Sequence, residues 1–176
     1  VLVPEGSTPP SRRVSFRGDW IAITPGWIAA HVHLELRQAR WDPEDPEFPG
    51  LLDPIEHRRT VSGDGLRAAY ERGADELLQS GAARVVDHCQ LTDRIVDRAR
   101  THPLRIHLLH ELASYRGTER DEENTAEAAR SFLRVESEGP LPTGLAAEGP
   151  YSVSSDLYRT MSRLLDEKGG TWSSHL

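Results

Sequence analysis

Pro25-Gly26-Trp27-Ile28-Ala29-Ala30-His31-Val32-His33-Leu34-Glu35-Leu36 is the stretch on which the fold of this 176-residue chain turns. Pro25-Gly26 is a turn signal, and the apolar run from Gly26 to His33 has the length and composition of a buried parallel strand. Residues i and i+2 of a strand point to the same face. His31 and His33 therefore present two imidazoles side by side at the strand's C-terminal end, which in a parallel barrel is the end that carries active sites. On these residues alone two readings stand: two ligands of one metal ion, or two ordinary histidines near a strand end. The Pro-Gly start, the terminal placement and the acidic Glu35 just beyond favour the metal.

Upstream, residues 1–13 are rich in Pro, Ser and Gly and read as a loop or linker, and Val14 to Thr24 reads as one or two strands around a Gly18-Asp19 turn. Downstream, residues 41–54 (WDPEDPEFPGLLDP) hold four prolines and five acidic residues and read as a long loop. A rhythm follows. Ser62 to Ser80 has helical spacing (Leu66, Ala69, Tyr70, Gly73, Leu77), with Gly81 as its C-terminal stop. Arg84 to Asp87 is a strand, Thr92 to Arg100 a helix, Leu104 to Leu109 a strand. Asn124 to Val135 is a helix starting near Asn124 or Thr125, and Gly144 to Ala147 a strand. Ser154 to Lys168 is a helix capped by Ser154 or Ser155, and Thr171 to Leu176 begins a last strand. Strands alternating with helices of this length imply βαβ units and a parallel sheet. About five units fit in 150 residues, too few to close an eight-stranded barrel of about 250.

The formal charge of −7 argues against nucleic acid and anionic membrane as partners. A single cysteine, Cys89, leaves no intrachain disulfide and fits a reducing compartment. No apolar run approaches the roughly 20 residues of a membrane span. Val1 to Ser7 lacks the charged and apolar regions of a signal peptide and has no initiator Met. The chain therefore reads as processed or cut at its start, and as cytoplasmic by default.

Pro25 to Leu36 resembles the first barrel strand of the amidohydrolase superfamily, especially the deaminase and chlorohydrolase branch, whose members read Pro-Gly-(apolar)-(apolar)-Asn-Ala-His-Thr-His-Leu-Glu-Leu. Val14 to Ile23 looks like the last strands of the small β-domain that precedes that barrel. Far downstream, Gly144-Leu145-Ala146-Ala147-Glu148-Gly149-Pro150-Tyr151-Ser152-Val153-Ser154 resembles the family's Gly-Leu-Ser-Pro-His-Ala-Pro-Tyr-Thr-Val-Ser. Gly169-Gly170-Thr171-Trp172-Ser173-Ser174-His175-Leu176 resembles its fifth strand. The resemblance implies a partial (β/α)8 TIM-type barrel: residues 1–24 as linker and remnant of the small β-domain, and residues 25–176 as the first five of eight βα units.

The resemblance also implies chemistry. His31, His33 and His175 would ligate a divalent metal, with a sixth-strand His and an eighth-strand Asp lying past the end of the chain. The proton-shuttle Glu, three residues after His175, would lie beyond Leu176, so no catalytic residue is assigned within these residues. Zinc suits three imidazoles and one carboxylate best, and iron fits as well. The implied reaction is hydrolytic deamination of an aminated ring or nucleoside-type small molecule by metal-activated water. The alternatives are an amidohydrolase acting on a cyclic amide or ring halide, and an inactive truncated fragment. A homodimer of the full-length protein fits the family too.

His31 to Leu36, Phe48-Pro49, Arg58-Arg59 and Glu111 further resemble aminodeoxyfutalosine deaminases. Three positions depart from the family: Glu148 replaces a His that contacts substrate, Ala29 an Asn, and Ser173 a His found in many relatives. Glu35, Glu111, Glu148 and Arg58 are the candidate substrate contacts. Glu111, at the end of the third strand after His110, reads equally as a structural hydrogen-bonding group. His57-Arg58-Arg59 reads as a solvated cluster or an anion contact. Asp87-His88-Cys89, at the end of the second strand, reads as pocket wall in preference to a metal or nucleophile trio. His102 and His107 read as surface or packing residues.

Overall fold

The computed structural model of the chain describes residues 17, 18, 20, 22, 24–38, 63–90, 92–114, 119–136 and 141–175. The long acidic loop, Arg58 and most of the residues read as a small β-domain lie outside them. In chain order the elements are β1 (Trp27–Val32), a 3₁₀ turn (Leu34–Gln38), α1 (Gly63–Gln79), β2 (Ala82–Cys89), α2 (Thr92–Thr101), β3 (Arg105–Leu112), α3 (Glu119–Glu136), β4 (Thr143–Ala147), α4 (Ser155–Lys168) and β5 (Thr171–Ser174).

The five strands form one sheet in the order β1-β2-β3-β4-β5, every neighbour parallel. This is the α/β half-barrel implied by the alternation of strands and helices. All the strands' C-terminal ends lie on one rim.

Local chemistry accounts for the boundaries. The Ser154 hydroxyl accepts the Leu157 N–H at 3.1 Å and caps α4. Gly81 follows α1 at φ 95°, a left-handed conformation that favours glycine, and its carbonyl accepts the Trp27 N–H that starts β1. Gly144 on β4 is a close-approach glycine: a methyl group there would collide with the Thr171 carbonyl of β5. Ser154 and Gly81 thus play the capping and stopping roles read from the sequence. The helix expected from Asn124 begins five residues earlier, at Glu119. Asn and Thr tolerate a helix interior when their neighbours are good helix formers, so a cap-type residue need not be a cap.

The core lies between the sheet's outer face and the helices. Leu66 and Tyr70 of α1, Ile95 of α2, Leu108 and Leu112 of β3, and Met161 of α4 are all essentially inaccessible to solvent. His110 belongs to this layer: its ring packs against Phe132 of α3, with centroids 5.3 Å apart.

One expectation fails. The apolar run ending at His33 is a parallel strand, but not a buried one: Trp27 is 66 % and Ile28 67 % exposed. β1 is the marginal strand of the sheet, and apolar composition does not distinguish a marginal parallel strand from a central one. β5, at the opposite margin, exposes Trp172 by half.

These two margins generate a prediction. Each carries a row of backbone groups with no neighbouring strand among the described residues, and such edges template association. The net charge of −7 opposes it, but repulsion is screened beyond about 8 Å at physiological salt, whereas edge pairing acts at contact. The 176-residue chain should elute as self-associated species in size-exclusion chromatography with light scattering. A monodisperse monomer with one cooperative melt would show that the edges are sealed.

Candidate functional site

Strand alternation sorts the rim residues into two layers. On β2, Asp87 and Cys89 face the helices, while His88 faces the concave side. On β3, His110 faces the helices and Glu111 the concave side. The concave side is where the three expected ligands meet. His31 projects from β1, His33 stands one residue past its end, and His175 one residue past the end of β5. Their Nε2 atoms are 3.2 Å (His31–His33), 3.4 Å (His33–His175) and 2.9 Å (His175–His31) apart. They form a group of nitrogen ligand atoms dense enough to hold a metal ion.

That spacing has a chemical meaning. Nitrogens bound tetrahedrally at about 2.0–2.1 Å from zinc lie about 3.3 Å from one another. Three imidazole nitrogens at 2.9–3.4 Å fit the edges of such a tetrahedron. A neutral imidazole has one acceptor nitrogen and one donor. Three Nε2 atoms facing one another therefore suit a shared cation better than they suit hydrogen bonding among themselves.

The Nδ1 side of these rings faces a carboxylate. Glu111, nearly inaccessible to solvent, places Oε1 3.7 Å from His175 Nδ1 and Oε2 4.0 Å from His33 Nδ1. The Gln90 amide donates to Glu111 Oε2 at 3.3 Å. In metal sites a carboxylate that accepts the ligand's second N–H fixes its tautomer; at 3.7 and 4.0 Å Glu111 stands near both Nδ1 atoms but beyond hydrogen-bond length. Glu148 is buried just past β4, where its N–H donates to the Leu112 carbonyl at 3.0 Å.

His88 is a fourth imidazole in the cluster. It stacks on His31 with ring centroids 3.9 Å apart, and its Nε2 shares a hydrogen bond with Ser173 Oγ at 2.9 Å. Sequence reasoning took it for pocket wall. Its position at the end of an alternating strand was the available signal, but the partner Ser173 lies three strands away and was not legible.

Glu35 is turned to the outer layer instead. It is fully buried, and its carboxylate accepts the Cys89 thiol at 2.8 Å and the Gln90 N–H at 3.2 Å. The structure thus brings together His31, His33, His175 and Glu111 with Glu148 on the same rim, sets Glu35 apart from them, and does not describe Arg58.

Comparison with known proteins locates this geometry. The model of the amidohydrolase family matches residues 22–176. The chain belongs to the amidohydrolase family. It is 26% identical over 157 residues to a 5'-deoxyadenosine deaminase of Methanopyrus kandleri, covering 86% of this chain and 36% of that protein. Two solved structures share the fold. An aminofutalosine deaminase of Helicobacter pylori in complex with methylthio-coformycin has a TM-score of 0.71 at 21% identity, over 86% of this chain and 36% of that one. An atrazine chlorohydrolase of Arthrobacter aurescens complexed with zinc has a TM-score of 0.70 at 17% identity, over 86% and 40%. The chain spans between about a third and two fifths of the length of these relatives.

The rim's titrations are displaced. Burial, then the charge of His175, lowers the pKa of His31. Burial, then the charges of His31 and His175, pushes His88 down to about 4. Both rings are therefore neutral at pH 7. Burial pushes Asp87 up to about 7, with the nearby Glu35 adding to the rise, against the hydrogen bond from Leu34 N–H and the Tyr70 hydroxyl.

The signs of these shifts fix opposite pH dependences. An unfolded His takes up its proton near 6.5, whereas folded His88 resists it down to about 4. Its contribution to stability is present above 6.5 and lost as pH falls from 6.5 to 4. Asp87 acts in reverse, favouring the fold at low pH and losing that contribution as pH rises from 3.8 to about 7. In His88→Gln, which keeps a side-chain amide for Ser173 but does not titrate, the melting temperature should fall less steeply between pH 6.5 and 4 than in the wild type. Circular-dichroism melts across that range check this, and parallel slopes would contradict it.

Proposed function

We propose that this chain carries the histidine half of a metal-dependent deaminase site, in which water attacks the amino-bearing carbon of an aminated ring or nucleoside-type substrate, a C–O bond replaces the exocyclic C–N bond, and the amino group leaves as ammonia. The observation that supports it best is the 2.9–3.4 Å spacing of the Nε2 atoms of His31, His33 and His175. The deaminase among its relatives supports the substrate class. His31, His33 and His175 would hold a divalent ion, zinc before iron, which would lower the pKa of bound water enough for a nucleophile at neutral pH.

The chain's own residues have defined parts. His31 and His175 offer Nε2 from opposite margins of the sheet, and His33 completes the triangle. Glu111 sets its negative charge 4.0 and 3.7 Å from the Nδ1 atoms of His33 and His175. Glu148 and Tyr151 wall the rim: the Tyr151 hydroxyl is held above its ordinary pKa by burial and then by the charges of Glu148 and Glu111. The substrate is a small molecule. The described helices include none long and apolar enough to cross a membrane.

Two measurements test this. Calorimetric titration with Zn2+ should find one equivalent bound per chain, and His31→Ala or His175→Ala should weaken binding by more than the roughly 10–100-fold typical of outer partners of metal ligands. Equal affinity in the wild type and both variants would remove the metal reading. The proton-shuttle Glu expected three residues after His175 is not among these 176 residues, and general acid–base catalysis contributes about 10²–10⁴-fold. The metal-loaded chain alone should therefore release no ammonia above background from aminated purines and nucleosides; measurable release would show that another group moves the proton.

A further inference from the structure

Behind the histidines, on the helix side of the sheet, lies a buried polar cluster that the proposed chemistry does not use. Asp87, Glu35, Cys89 and Tyr70 are all fully inaccessible to solvent. Their bonds form a reciprocal clamp. The ladder between β1 and β2 ends where Val32 pairs with Asp87. Two residues on, the Leu34 N–H is taken by the Asp87 side chain, Oδ1 accepting at 2.9 Å. In return Glu35 reaches from the 3₁₀ turn to the end of β2, where Oε2 accepts the Cys89 thiol and Oε1 the Gln90 N–H. The Leu36 N–H closes the turn onto the His33 carbonyl at 3.0 Å. His33 thus sits between a strand residue fixed by the ladder and an amide fixed by Asp87.

We infer that Asp87 and Glu35 are positioning residues, which lock the chain on either side of His33 and so set the direction of its imidazole into the histidine cluster. Removing a carboxylate from water is costly, and apolar residues of similar size are usually at least as stabilising in a core. Two carboxylates side by side in this layer make sense as a device that fixes one backbone path. A Leu at either position would fill the space and release the turn.

The inference rests on the metal reading for its functional sense, and the experiment separates the two. Co2+ affinity, by competition with a chelator, and the visible d–d spectrum of the Co2+ complex are measured on the 176-residue chain. The histidine ring shifts are followed by NMR without metal. Asp87→Leu and Glu35→Met each remove a clamp acceptor, whereas Asp87→Asn keeps an oxygen for Leu34 N–H.

The first two variants should weaken Co2+ binding about 10–100-fold, alter the spectrum and move the His33 ring signals. Asp87→Asn should match the wild type in all three. Folded Asp87→Leu or Glu35→Met with wild-type affinity and unmoved His33 signals would overturn the inference. Wild-type chain that binds no Co2+ would remove the metal reading alone, leaving the His33 signals to decide the clamp. Should both variants fail to fold, amide exchange in the wild type decides: Leu34 N–H protected like the β2 amides supports the clamp, and fast exchange overturns it.

Discussion

Everything at the rim depends on the curvature of the sheet. Parallel neighbours lie about 4.8 Å apart, so in a flat sheet β1 and β5 would be separated by about 19 Å. His31 and His175 nevertheless bring their Nε2 atoms to 2.9 Å. Two imidazoles reaching inward do not span such a gap, so the sheet must close most of it. The inward positions that permit this are small: Gly144 and Ala146 on β4 face Thr171 and Ser173 on β5 in register. Gly144 has no room for a methyl group beside the Thr171 carbonyl. The helices on the outer face supply the complementary bulk, with Tyr70, Leu66 and Met161 filling the convex side. Small residues where β4 meets β5, with large ones on the outer face, bend the sheet toward the histidines.

Curvature concentrates groups that would otherwise avoid one another. Four imidazoles meet within ring-contact distance, His31 stacking on His88 and His33 on His175. Burial first, and then the charges of neighbouring histidines, lower the pKa of His31 and His88. His31 and His88 are therefore held neutral at physiological pH. Neutral imidazole is the form that binds a metal ion, and Glu111 faces the Nδ1 atoms rather than the converging Nε2 atoms. The two ring nitrogens thus meet different surroundings: the Nε2 atoms converge on one another, and the Nδ1 atoms of His33 and His175 lie 4.0 and 3.7 Å from the Glu111 carboxylate.

How much of this the sequence disclosed follows from the range of each interaction. The same-face relation of His31 and His33 is local, fixed by the period of a strand, and was legible directly. The succession of parallel strands was legible because each βα unit carries its own turn and cap signals. His175 became a candidate only through its motif: nothing within ten residues of it reports that β5 returns to β1. The His88–Ser173 contact was out of reach for the same reason, since it spans 85 residues and depends on curvature. The exposure of β1 was misread because composition records what a strand is made of and not which neighbours it has.

Glu35 shows how a motif can be read rightly and its side chain wrongly placed. Two residues after His33, it would share the histidines' face if the strand continued. The chain instead leaves the extended path at His33 and enters a 3₁₀ turn, where each residue rotates the side-chain direction by about 120°. Glu35 is swung away from the concave side and under β2, while His33, the last residue before the turn, keeps the direction the strand gave it. The same turn that removes Glu35 from the concave side makes its carboxylate available to the end of β2. Glu148 keeps its place on the rim. It follows β4 with its N–H still held by the Leu112 carbonyl, so the strand's alternation, and no turn, sets its direction.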